Sequence, residues 1–478
     1  MENFFPKYYS NNSLNTFIIT LLCVSLLYNN NILPIDLLLF VLISGVLFFK
    51  MVYNLSFTWR NLIENQFKLN VVIYAFFIRL IFVTIVYFYN IEHWGLTYAS
   101  AEDIEFYINM GKYGAECVGN LEIVKLFVDW NRWGVDTGDW GYPLHLSLVY
   151  LLTANISDVF IPFIVKSLLG AYTCLFIYNI TKRHFGERIA KLAAVLCVVN
   201  PLMIWWCGSM MKEAEMIFYT ICFVNNWDDL ICNGSKTRAN IILIIFLSFY
   251  LFTFRIALGI VALLSVVVTL FLYEKKVKNK GKIFIILSCI LVVMIVGFFQ
   301  QISEVVNQIY TEIVIGDNKA QEINMEWRSQ RVGGNEFAKY AGAAIFAPLI
   351  FSIPFPTFVY IDLHQEFIVQ VAGGNFVKNI LSFFVIYSVF DLFLKKEWRK
   401  HILILSFTIG YLIMLVLSVY AQSGRFHMPV APLQMIFAAY GIAVFPKNKR
   451  HWFNYALIFE FVVCIAWNWF KLKGRGMI

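Results

Sequence analysis

Charge is scarce in this sequence. Asp, Glu, Lys and Arg supply 14% of its 478 residues, against about 25% in ordinary globular domains. With 60% of the residues hydrophobic and a mean hydropathy of +0.69, water is not the main solvent of this chain. Paired cysteines are missing as well. The nine cysteines stand singly, mostly inside apolar stretches (Cys23, Cys174, Cys197, Cys222, Cys289, Cys464). There is no CxxC pair and no Cys/His spacing suited to zinc, so neither a disulfide framework nor a structural metal is implied. Tandem repeats, low-complexity linkers and symmetry between the halves are absent too, which weakens a secondary-transporter reading, where repeat pairs are common. The first apolar stretch, 17–27, has the length of a signal-peptide core, yet it lacks a small-residue cleavage site and a second apolar segment follows at once. It reads as a retained anchor.

What is present is apolar length and aromatic rings. Phe (47), Tyr (25) and Trp (13) suit a bilayer, whose two interfaces favour amphipathic aromatics. A span needs about 20 mostly apolar residues to cross roughly 30 Å of hydrocarbon. That ruler gives runs near 12–28, 33–53, 70–90, 158–181, 189–207, 213–229, 239–254, 257–273, 282–300, 376–394, 402–420, 428–445 and 452–470. Each must be a helix, because a lone strand leaves its backbone unpaired in lipid. The expected fold class is therefore an all-α polytopic membrane protein of about 12–14 transmembrane helices, a single transmembrane domain over 1–478.

The formal charge of +8 does not point to nucleic acid. The basic residues form short clusters between apolar runs: Lys182/Arg183/Arg188, Lys275/Lys276/Lys278/Lys280, Lys395/Lys396/Arg399/Lys400 and Lys447/Lys449/Arg450. Such loops face the cytoplasm. Counting back from them puts the N-terminus inside and 91–142 outside, provided that the short apolar run 143–153 is re-entrant or interfacial. The basic tail Lys471, Lys473, Arg475 resists this scheme, so either the last helix lies flat or the count of spans is off by one. Two external loops are long enough to build something. The first, 91–153, carries Glu92, Glu102, Asp103, Glu105, Glu116, Glu122, Asp129, Asp136 and Asp139 against Lys112, Lys125 and Arg132. The second, 301–376, holds Pro348, Pro354 and Pro356 among aromatics, as an interfacial helix or lid would.

Four patterns could carry chemistry. In AEDIEFY, Asp103 and Tyr107 stand at i and i+4 and Glu102 and Glu105 at i and i+3, so a helix presents them together. A carboxylate there can accept a proton or hold a divalent cation, although a solvated acidic face gives the same pattern. In WGYPLH, Tyr142 and His145 mark the return to the bilayer. His145 is either a substrate contact or a hydrogen-bonded structural residue. Between Pro201 and Glu215, Lys212 and Glu213 sit at the lip of a span, where ionisable groups default to function unless they simply pair. In SGRFHMPVAP, Arg425, with His427 close by, lies at an outer mouth, and its planar fork suits phosphate. Arg255, Arg328 and Arg331 are weaker cases of the same kind, and Arg79 within a span suits an interhelical pair or a cavity lining.

Taken in order, D-x-x-x-Y at Asp103 and Tyr107, Y-P at Tyr142, K-R-x-F-G at Lys182, a proline followed by Lys212-Glu213, and G-R-F-x-x-P-x-x-P at Gly424 resemble the membrane glycosyltransferases of the GT-C superfamily. The likeness is to the protein O-mannosyltransferase and lipid A aminoarabinose transferase branch (glycosyltransferase family 39-like), over roughly 79–446. The resemblance implies a GT-C-like bundle that moves a sugar from a polyprenyl-phosphate donor to a protein, lipid or glycan acceptor. The reaction would take place outside the cytoplasm of a bacterial inner membrane. It places Asp103 as the first-loop acid, a general base or cation-positioning group, Glu213 as the second acidic residue and Arg425 as the phosphate contact. Glu102, Tyr107, Tyr142, His145, Lys212, Arg255 and His427 are the remaining substrate-contact candidates. The sequence departs from the family in two helices before the first loop, in the order Glu102-Asp103, and in Lys-Glu at the second acidic site. No cofactor is called for, and a divalent cation is left open. Two other readings stay open: a polysaccharide polymerase or ligase, in which Arg328 and Arg331 would matter more, and a transporter or flippase.

Overall fold

The structure, a computed structural model, describes residues 4–99, 102–153, 159–234, 238–274, 280–297, 347–361, 369–417 and 423–478, with Phe299, Ser303, Asn307 and Glu326. Regular structure among them is helical, without a strand. Each apolar run falls on a helix. The first three are α1 (Lys7–Leu27), α2 (Ile35–Trp59) and α3 (Glu64–Trp94). Then come α4 (Glu102–Gly119), α5 (Ile123–Arg132) and α6 (Gly141–Leu152), followed by α7 (Phe160–Phe185), α8 (Glu187–Val198), the short α9 (Pro201–Trp205) and α10 (Glu213–Cys232). The remainder are α11 (Arg238–Phe254), α12 (Ile256–Leu272), α13 (Lys280–Gly297), α14 (Ala372–Leu394), α15 (Ile402–Leu417), α16 (Ala431–Val444) and α17 (Arg450–Lys473). Among the described residues, 8 helices are long and apolar enough to cross a membrane, or 9 if α8 and α9 form one span. The chain is thus a multi-pass membrane protein. The remaining runs are helices that carry carboxylates (α10) or are shorter (α11–α13).

Helix α3 shows how lipid and core are separated. Phe67, Val71, Ala75, Arg79 and Val83 recur every fourth residue and are buried, while Leu69, Ile73, Phe77, Ile81 and Ile85 are exposed. The second stripe is the face that lipid covers. Helix α3 packs on α7, which returns through α8 after a single residue, Gly186. At φ 83° and ψ 170° that residue occupies backbone space open mainly to glycine.

The expected span 189–207 bends by 50° between α8 and α9. The cause is Asn200-Pro201. The Asn200 side chain accepts from the amides of Leu202 and Met203, and Pro201 occupies the first helical turn. Pro201 has no N–H, so the carbonyl of Cys197 loses its i+4 donor. Arg79 replaces it: Nη2 donates to Cys197 O at 3.2 Å and Nη1 to Val198 O at 3.3 Å and Ala75 O at 3.0 Å. A guanidinium thus caps the C-terminal end of α8, where positive charge is favoured. A Cβ on Gly170 would lie 2.6 Å from Arg79 Nε, so glycine is what lets the side chain pass.

The first loop begins later than expected, because α3 runs on to Trp94, and it folds into α4, α5 and α6. With 12 residues, α6 is about 18 Å long, too short to cross, and it packs on α4. The second loop, 301–376, including Arg328 and Arg331, lies mostly outside the described residues. Helix α17 does not lie flat. It runs alongside α1, from Tyr8 Oη on Asn454 (2.8 Å) to Tyr28 Oη on the Ile465 carbonyl (3.1 Å). Its basic end therefore shares a side with the end of α1. At the other side His184 of α7 meets His401 just before α15, which gathers the Lys182 and Lys395–Lys400 clusters at the end of the bundle opposite α4–α6.

Replacing Arg79 with Ala orphans the carbonyls of Cys197 and Val198, at roughly 1–3 kcal/mol for each buried unsatisfied group. The expected result is a clear drop in the thermal midpoint of the detergent-solubilised protein. An unchanged midpoint would contradict the capping role.

Candidate functional site

Where the loop helices meet the bundle, the chain breaks that expose polar backbone also place charged side chains. Helix α11 stops at Phe254, Arg255 is extended (φ −163°, ψ 125°), and α12 starts at once. Lys212, just before α10, donates to the freed Phe254 carbonyl at 3.0 Å and pairs with Asp139. Burial pulls the Lys212 ammonium below its usual range, and Asp139 opposes that pull. Glu213 opens α10 fully buried, and its Oε1 accepts from Arg425 Nε at 3.1 Å and Arg255 Nη2 at 3.4 Å. Its Oε2 meets no donor among the described residues. Arg425 reaches outward with Nη1 to Asp103 Oδ2 at 2.9 Å. Arg255 lies 3.8 Å from the centroid of the Phe426 ring and 3.5 Å from the Tyr411 hydroxyl.

Exposure grades through this network. The Asp103 side chain is 56% exposed, Asp139 41%, Arg425 20% and Glu213 0%. One carboxylate faces water while another is sealed beneath the guanidiniums. Tyr107, one turn after Asp103 on α4, donates to Asp139 Oδ1 at 3.3 Å and packs edge-on against Tyr142 at 5.1 Å between centroids. Burial, then the charges of Asp139 and Glu213, push its phenol up, so it remains a donor.

A second buried pair lies beneath. Lys166 of α7 donates to Glu215 at 2.8 Å and to the Met211 carbonyl at 2.6 Å, and its ammonium sits 4.6 Å from the centre of the Tyr142 ring. His145 stands beside it, with Nδ1 3.2 Å from the Tyr219 hydroxyl and Nε2 3.8 Å from Glu215. Of the sequence candidates, Asp103, Tyr107, Lys212, Glu213, Arg255 and Arg425 share one network, and Tyr142 and His145 line the layer below. His427 turns away to Lys378, 3.4 Å distant, whose ammonium also meets the Ile353 carbonyl. The side chain of Glu102 lies outside the described residues. Sequence reasoning passed over Asp139, one acid among many in its loop. Its signal was its place just before W-G-Y-P, on the short 3-10 turn Thr137–Asp139 that Asp136 caps. It also passed over Tyr411 and the pairing of Lys166 with Glu215, two residues on different helices.

The donor set here does not fit a divalent cation. Lys212, Arg255 and Arg425 stand against Asp103, Asp139 and Glu213, so the local charge already balances and an incoming dication would meet the three cationic groups. The described residues whose potential ligand atoms gather closely enough for a metal ion, His184, Asp228 and Cys232, lie at the far end of α10.

No protein-family model and no curated protein matches this chain. Among solved structures it is similar to the crystal structure of the Archaeoglobus fulgidus oligosaccharyltransferase in complex with zinc and sulfate. The identity is 13% and the TM-score 0.35, over 70% of this chain and 44% of that one. The chain thus spans less than half the length of that protein.

Two expectations follow from burial. Removing one partner of a buried charged cluster costs about 3–5 kcal/mol, whereas a largely exposed pair is worth about 0–1 kcal/mol. Glu213→Gln should therefore lower the denaturant midpoint in mixed micelles far more than Asp103→Asn, and equal losses would contradict the arrangement. Burial also holds the His145 imidazole below its ordinary range despite Glu215, so the unfolded chain binds that proton more readily. Its contribution is complete above about pH 6.5, the unfolded value, and is lost as the pH falls through the folded value. The thermal midpoint should fall less steeply below that pH in His145→Gln than in the parent; parallel profiles would sink the idea.

Proposed function

We propose that this protein is a GT-C-type membrane glycosyltransferase that moves a sugar from a polyprenyl-phosphate donor to an acceptor on the non-cytoplasmic side. The observation that carries this reading is the chain Asp103–Arg425–Glu213–Arg255, which grades from a water-facing carboxylate to guanidiniums anchored at the mouth of an apolar bundle. A lipid-phosphate donor needs that boundary. Its isoprenoid tail stays in hydrocarbon while its head group meets fixed positive charge. The orientation rests on the basic clusters at the opposite end, which belong to the cytoplasm by the positive-inside rule.

The reaction is a direct displacement with inversion. An acceptor hydroxyl or amine attacks the anomeric carbon, its proton passes to Asp103, and the bond from that carbon to the phosphate oxygen breaks with its electron pair staying on the phosphate. Arg425, with Arg255 and Lys212 behind it, stabilises the charge that develops there. Arg425 serves Asp103 while the site is empty of donor. A phosphate that accepts the Nη1 hydrogen bond in its place frees that carboxylate to act as the base. Glu213 is a positioning residue: sealed from water, it acts through the two arginines it holds.

The test is transfer from a radiolabelled mixture of polyprenyl-phosphate sugars in reconstituted vesicles. Loss of general-base and phosphate contacts should lower transfer by about 10²–10⁴-fold in Asp103→Asn and strongly in Arg425→Ala, with part of it restored in Arg425→Lys. Folded Asp103→Asn protein with full activity would overturn the base assignment. Absence of transfer by the parent from every such donor would move the reading to polymerisation of lipid-linked glycans.

A further inference from the structure

At the opposite end of α10 from Glu213, about 22 Å away along the helix, a second polar cluster is left unused by the transfer chemistry. Asp228 and Cys232 lie at i and i+4 and so share one face of α10. His184, in the last turn of α7, joins them: its Nε2 is 2.8 Å from Asp228 Oδ1, and Cys232 Sγ is 3.4 Å from the same oxygen. One ligand atom from each of the three residues lies within 4.8 Å of the other two. The groups behind them are also in place. Asp228 Oδ2 is held by Arg183 Nε, and Arg183 is itself anchored on Asn225 Oδ1 at 2.9 Å. His184 Nδ1 lies 2.9 Å from His401 Nδ1.

We propose that His184, Asp228 and Cys232 bind a divalent transition-metal ion, zinc above all. One nitrogen, one carboxylate oxygen and one sulfur form a borderline-soft set that suits zinc and does not suit magnesium or calcium. With the thiol ionised, Asp228 and Cys232 bring two negative charges to the ion against the one positive charge of Arg183, and the thiol proton leaves to water. His184 binds through Nε2 and carries its proton on Nδ1, where His401 accepts it. Arg183 fixes the remaining oxygen of Asp228. Metal-ligating histidines and carboxylates are oriented by partners of this kind. The Tyr273 hydroxyl, 3.3 Å from Sγ, flanks the fourth position. His184 and Asp228 are almost closed off while Cys232 is half-buried, so the ion enters from the cysteine side. The bound ion would tie α7 to α10 directly and to the start of α15 through His401.

This site stands apart from the transferase reading and is tested without it. Full-length protein in detergent is stripped with chelator, checked for folding by size exclusion and tryptophan fluorescence, and titrated with cobalt(II). The expected result is a thiolate-to-cobalt charge-transfer band with tetrahedral d–d absorption that saturates at one equivalent and is displaced by zinc. Cys232→Ser should abolish the charge-transfer band, and His401→Gln should weaken zinc about 10–100-fold. A folded parent protein without that band, or a band that persists in Cys232→Ser, would overturn the assignment.

Discussion

Inside a bilayer a charged side chain is tolerated only within hydrogen-bond reach of a partner, and the rest of this bundle is arranged around that requirement. By membrane-insertion scales an unmatched Arg, Lys or Asp at a helix centre costs about 2.5–3.5 kcal/mol. For several of them the fold answers with a specific partner. Arg79 finds the carbonyls left bare where α8 ends at Asn200-Pro201, Lys166 finds Glu215, and Asp228 finds Arg183 and His184. These matches cross between helices remote in sequence, so they fix which helix lies beside which. Apolar packing in lipid discriminates far less, since lipid tails are as apolar as leucine.

The same rule shapes the mouth of the bundle. Helix ends release carbonyls and amides, and the residues drawn to them are charged. Lys212 settles on the end of α11, and Arg255 occupies the gap between α11 and α12. Once cations are held there, carboxylates from the loop helices are attracted to them. The result is a charge-balanced network whose outer members contact water and whose inner members do not. In the transferase reading proposed above, a phosphate takes over a guanidinium of this network from a carboxylate, one anion replacing another.

Much of this was legible in the sequence, and the parts that were not share a cause. Apolar runs against a 30 Å slab located the long apolar helices, but not α4 and α5 of the first loop or the break between α8 and α9. The short run 143–153 pointed to the non-crossing α6, and charge at span lips pointed to Lys212, Glu213, Arg255 and Arg425. Pairing was beyond reach. Nothing in one dimension says that Asp139 rather than Asp136 meets Lys212, or that Arg79 serves carbonyls left bare where α8 ends. His184 and Cys232 fit no metal-ligand spacing because they lie on different helices. The His427 side chain, grouped by proximity with Arg425, sits on another face of the same turn and meets Lys378 instead.

The parallel course of α1 and α17 has a topological consequence. Two helices that run side by side in the same direction, one opening and one closing the described chain, put its beginning and its end on opposite sides of the bilayer. The chain must then cross an odd number of times, whatever the path between. A membrane-impermeant label would reach one end of the described chain from each compartment, and Lys471, Lys473 and Arg475 lie on the side of α4–α6.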